Sequence, residues 1–152
     1  MVREKRESFL NDALFSIYEI LAKLGKYSRN MHEDSTVAKT RSDRTDKYEG
    51  VTLVRIEEKD HSLQEAVDDL ERKPHWLPHY VRLPFIFGIA ITADQLEIFT
   101  LHGDKSMRRV FSANLTDVVE RWSCVRAIIN IARTLKMFIE QGLVIRSLKF
   151  DV

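Results

Sequence analysis

The segment Leu83-Pro84-Phe85-Ile86-Phe87-Gly88-Ile89-Ala90-Ile91-Thr92 is almost wholly apolar. Successive strand side chains point to opposite faces, so a strand without polar alternation needs cover on both. The segment therefore predicts a central strand in a sheet flanked by helices. The 152 residues, 44% apolar and 31% charged, suffice for one domain with its own core. Three prolines and five glycines argue against a linker-rich chain. No apolar run approaches the roughly 20 residues that span a bilayer, so no membrane partner is expected. Met1-Val2-Arg3-Glu4-Lys5-Arg6 leads into an amphipathic pattern rather than a signal peptide. The expectation is intracellular action, with any targeting segment absent or carried by a longer protein. The single Cys124 excludes an intramolecular disulfide and a thiolate zinc cluster, and its apolar setting reads as a packed thiol.

Around that segment the elements follow in order. Residues 4–26 predict a helix, with Phe9, Leu10, Ala13, Leu14, Ile17, Tyr18, Leu21 and Leu24 on one face and Glu19 beside it. Residues 27–40 are polar and poorly periodic, with a short strand near 36–39, and His32-Glu33-Asp34 reads as a solvated loop. Strands at 44–48 and 51–59 are joined by a Glu49-Gly50 turn. Ser62 and Glu65 form a capping-box pattern opening a helix to Arg72, with Leu63, Ala66, Val67 and Leu70 on one side and Pro74 ending it. After the aromatic loop 75–80 come the 83–92 strand and a strand over 95–101. A turn at Gly103 then leads to the basic residues 105–109. The last helix is expected over 115–141, capped by Asn114 or Thr116, with Gly142 just past its end. Its predicted buried stripe is Val118, Trp122, Val125, Ile129, Ala132, Leu135 and Ile139, with Arg121, Arg126 and Arg133 outside. One domain over 1–142 results, followed by an edge strand or linker at 143–152.

Chemistry concentrates at the end of Val51-Thr52-Leu53-Val54-Arg55-Ile56-Glu57-Glu58-Lys59. Strand parity puts Glu57 and Lys59 on one face and Glu58 on the other. A hairpin about Gly50 brings Asp43 nearly opposite Glu57. Asp46 has the other parity and lies about 10 Å further along at roughly 3.3 Å per residue. Asp43 and Glu57 are thus candidate oxygen ligands for Mg²⁺ or Mn²⁺, with Glu19 as a further candidate. Lys59 is placed to hold an attacking water or to stabilise charge on a phosphate. The net charge of +1 does not advertise nucleic-acid binding. Basic clusters nevertheless offer candidate contacts: Lys39, Arg41 and Arg44 near the acids, and Lys105, Arg108 and Arg109 further on. Gln64, one turn beyond Lys59, faces either the site or solvent.

The order of helix, strands carrying Asp43 and then Glu57-Glu58-Lys59, helix and strand resembles the restriction-endonuclease-like PD-(D/E)xK fold, an α/β (α+β) architecture with a central mixed sheet. Arg41-Ser42-Asp43, Ile56 to Lys59, Leu63 to Leu70, Trp76, Leu83 to Ala90 and the closing Val125 to Leu135 are similar to the nuclease-type domain of Crinkler proteins. The resemblance implies a DNA endonuclease module of a larger effector or toxin, often beside an NTPase or kinase domain, acting in a host cell or nucleus. It implies Asp43 and Glu57 as metal ligands and Lys59 as catalytic lysine. Ser42 stands where that pattern has proline, and Arg44 where an apolar residue is common. An inactive copy serving an adjacent kinase or NTPase domain is the alternative.

Overall fold

The computed structural model describes residues 27–31, 44–48, 51–73 and 82–144. Strands β1 (Tyr27–Met31), β2 (Arg44–Tyr48), β3 (Val51–Glu58), β4 (Ile86–Ile91), β5 (Gln95–Leu101) and β6 (Met107–Asn114) form one sheet in sequence order. Helix α1 (Leu63–Arg72) lies between β3 and β4 in the chain, and α2 (Val118–Glu140) follows β6. Every neighbouring pair is antiparallel except β3 and β4. Parallel neighbours need a crossover, and α1 supplies it. The architecture is α+β with a mixed sheet, as the sequence predicts at that level.

Central strands follow hydrophobicity closely. All of β4 is buried, and in β3 only Thr52 and Glu58 are not. Leu53, Leu70, Ile86, Ile89, Leu96, Ile98, Leu101, Ile128 and Leu135 are the largest fully enclosed apolar side chains of the core. Helix α1 has the predicted bounds: the Ser62 hydroxyl accepts from the Glu65 N–H at 3.2 Å. Lys73 is already extended, as the residue before a proline should be. Arg44 pairs with Ile56 and Tyr48 with Val51, as the hairpin reading requires.

Three expectations need correction. Residues 27–31, read as irregular, form edge strand β1, and the 105–109 region leads into edge strand β6. Edge strands tolerate polar and charged side chains, so neither shows strong alternation. Helix α2 is capped by Asp117, whose carboxylate accepts from the Val119 and Glu120 N–H groups at 2.8 and 3.1 Å. Asn114 instead ends β6 and accepts from the Thr116 N–H at 3.0 Å. The buried face of α2 is Cys124, Ile128, Ile131, Ala132, Leu135 and Phe138. Val118 and Trp122, placed on that face by periodicity, are 59% and 68% exposed. Two apolar stripes with the same spacing overlap on this helix, and periodicity alone does not choose between them. Its C-terminus ends as expected at Gly142, with a positive φ of 68°. The Gly142 N–H reaches the Ile139 carbonyl and the Leu143 N–H that of Phe138, a Schellman closure. The predicted helix over 4–26, the strand near 36–39 and the 75–80 loop lie outside the described residues.

The two stripes separate by mutation. Ile128→Ala should cost about 2–5 kcal/mol in urea unfolding, as a large-to-small core change does. Trp122→Ala should stay within about 0.5 kcal/mol, the range of a surface change.

Candidate functional site

Strand β3 places Leu53, Arg55 and Glu57 on one face by parity, and α1 packs against β3 and β4. Ala66, Asp69, Leu70 and Lys73 follow the i, i+3, i+4, i+7 spacing of a buried helical stripe, and all four are buried. Charged residues of both elements are thereby enclosed together. Glu57 is fully buried. Lys73 Nζ donates to Glu57 Oε2 at 2.6 Å, and Arg55 Nη2 lies 3.7 Å from Glu57 Oε1. Arg55 Nη1 also donates to the carbonyls of Leu70 and Lys73, at 3.4 Å each. One guanidinium thus ties the C-terminal end of α1 to the strand and sits beside the buried carboxylate.

The network continues outward through Asp69. Lys59 Nζ donates to Asp69 Oδ2 at 2.7 Å, Arg72 Nη2 to Oδ1 at 2.5 Å, and Lys73 Nζ stands 3.7 Å from Oδ2. The hydrogen bond from Lys59 is the main reason that the Asp69 carboxyl is held below its ordinary range; burial opposes it, and Lys73 and Arg72 reinforce it. Burial pulls Arg55 below its ordinary value and Glu57 counteracts it, though a guanidinium keeps its charge over the whole accessible range. Lys59 is anchored at its base, its backbone N–H donating to the Ile91 carbonyl at the end of β4 at 3.0 Å.

Glu57 and Lys59 both meet the α1 side, as parity expects, and Glu58, assigned to the other face, is exposed. The network's other anion, Asp69, and its central cation, Lys73, escaped the sequence reading. The available signal was their spacing, since 66, 69, 70 and 73 share one helical stripe. Asp43 and Glu19 lie outside the described residues, as do Lys39 and Arg41. Asp46 pairs with Val54, three positions before Glu57 on β3. Among the described residues no group of three or more His, Cys, Asp or Glu side chains could hold a metal. Glu57 and Asp69 supply hard oxygen donors of the kind Mg²⁺ takes, and the Lys73 ammonium reaches both.

An open cleft of about 670 Å³ adjoins the network, lined by Lys59, Glu65, Asp68, Asp69, Glu71 and Arg72. Its rim is acidic. Gln64 faces solvent on this side and donates to Asp68 at 2.7 Å. The second basic cluster does not join the site. Arg108 and Arg109 lie on β6, three strand spacings from β3, about 14 Å at roughly 4.8 Å per spacing. Arg109 pairs with Glu97 at 2.8 Å, and Lys105 lies exposed in the preceding turn with a positive φ of 69°. Cys124 is buried, and burial pushes its thiol up to about 11, as befits a packed thiol.

Two measurements check the electrostatics. Lys73→Met takes one of its two cations from the buried Glu57 carboxylate and should cost about 3–5 kcal/mol, whereas replacing the whole group, Arg55→Met, Glu57→Leu and Lys73→Met together, should lose far less. Because Asp69 has a lower pKa folded than unfolded, the unfolded chain binds more protons in acid. The stability from Asp69 is complete above the unfolded value of about 3.9 and is lost as pH falls through the lower folded value. Urea midpoints should therefore fall more steeply with acidification in the wild type than in Asp69→Asn.

No family model matches the chain, and no curated protein or solved structure matches it either.

Proposed function

We propose that this domain is a Mg²⁺- or Mn²⁺-dependent nuclease of the restriction-endonuclease-like PD-(D/E)xK type, resembling the Crinkler nuclease domain and acting on DNA in preference to RNA. The observation that carries the reading is the convergence of Glu57 and Lys59 on one side of the end of β3, against α1. Two further features support it. An antiparallel hairpin with Arg44 opposite Ile56 precedes the motif, and a crossover helix with a parallel strand follows it.

In this reading Asp43 and Glu57 would hold the ion. When bound, the ion would supply Lewis acidity and a more acidic water. Lys73 and Arg55 fix the Glu57 carboxylate in place. Lys59 orients the attacking water and stabilises negative charge on the phosphate in the transition state. The acidic residues Glu65, Asp68 and Glu71 on the rim of the cleft repel a polyanion that approaches across α1. An NTPase or kinase domain in a longer protein, and action in a host nucleus, belong to the same proposal.

One observation favours a second reading. Glu57 is wholly enclosed by Lys73 and Arg55, a pairing that also serves a purely structural network. A non-catalytic module regulating an adjacent kinase or NTPase domain would keep the same contacts.

Cleavage of supercoiled plasmid and of RNA with Mg²⁺ or Mn²⁺ separates the two. Wild type should nick DNA, and Lys59→Ala should lower turnover by roughly 10²–10³-fold, the usual cost of a lost electrostatic stabiliser. Calorimetry should show Mn²⁺ binding lost in Glu57→Gln and kept in Lys59→Ala. Equal cleavage by all three proteins would mean a contaminant, and neither cleavage nor metal binding would leave the regulatory module.

A further inference from the structure

We infer that Asp69 is the positioning residue for Lys59, an inference that rests on the nuclease reading. A lysine that acts on a water or a phosphate must present its ammonium at one place, yet it sits on a stem with four rotatable bonds. Lys59 is about one-third exposed and leaves the sheet just after the last residue of β3. Its backbone is fixed by the bond to Ile91, which leaves the side chain itself to be oriented. Asp69 does this from the opposing helix, accepting from Nζ at 2.7 Å through Oδ2.

The carboxylate is itself immobilised. Its other oxygen accepts from Arg72 at 2.5 Å, and Lys73, already bound to Glu57, stands 3.7 Å from Oδ2. Asp69 is only 11% exposed at its side chain, so it holds one geometry, unlike the solvated Glu65, Asp68 and Glu71 on the same helix. Lys73 thus touches the proposed metal ligand and also the residue that aims the lysine. The site's anionic and cationic members are set relative to each other by one helix. Asp69 acts through Lys59 and needs no contact with the substrate.

Double-mutant analysis tests this on the full chain, with single-turnover plasmid cleavage in Mn²⁺ and unfolding melts to verify folding. Asp69→Asn, nearly isosteric, should lower the rate constant roughly 10–100-fold, the usual effect of losing an orienting partner. The apparent substrate affinity and calorimetric Mn²⁺ affinity should stay at wild-type values. In the Lys59→Ala background, Asp69→Asn should cost nothing further, because the group it orients is gone. A merely structural role predicts the same additional loss in both backgrounds, and that result overturns the inference. So does wild-type cleavage by Asp69→Asn. Should Asp69→Asn fail to fold, Asp69→Glu takes its place: it keeps the charge on a longer stem, with the same independence of Lys59→Ala expected. A wild-type chain that cuts no DNA sinks the nuclease reading and this inference together, whereas an active wild type with an indifferent Asp69 sinks the inference alone.

Discussion

A carboxylate without solvent contact must be neutralised where it sits, because an unpaired buried charge costs several kcal/mol. Glu57 sets that condition for this fold. Its two cations come from different places: Arg55 is two residues earlier on the same strand, and Lys73 caps the end of the helix packed above it. The helix can supply Lys73 only if Ala66 and Leu70 are seated on the sheet. Arg55 in turn binds the last carbonyls of that helix, which have no partners within it. Apolar packing, helix termination and charge pairing are thus one joint requirement, and none of them is met if α1 shifts along β3.

Legibility in the sequence follows from how local each determinant is. Ser62 with Glu65, Lys73 before Pro74, and Gly142 mark their helix ends with residues whose effect is felt within one turn. Buried strands β3 and β4 reveal themselves by apolar content. The edges do not, because β1 and β6 each have a neighbour on one side only among the described strands and carry residues such as Arg29 and Arg108 that any loop would accept. Helix α2 is apolar around so much of its circumference that its packing face is decided by the sheet. Glu57 and Lys59 could be paired by strand parity alone. Asp69 and Lys73 could not be found by rules that assign charged residues to solvent, although their spacing matched the buried stripe.

The electrostatics of the site follow from where its charges stop. Inside the network four cations, Arg55, Lys59, Arg72 and Lys73, surround two carboxylates, Glu57 and Asp69. Outside it the exposed face of α1 adds Glu65, Asp68 and Glu71, which offset that excess. The basic residues of β6 are three strands away, and Arg109 is already paired with Glu97. The region is consequently near neutral at long range, in keeping with a whole-chain charge of +1. Long-range attraction of a polyanion needs an uncompensated basic surface, and these residues do not form one. For the phosphodiester substrate proposed above, discrimination falls to contacts made within a few ångströms of Lys59. There the Lys59 ammonium, hydrogen-bonded to Asp69 and about one-third exposed, acts with the strength of a partly buried charge.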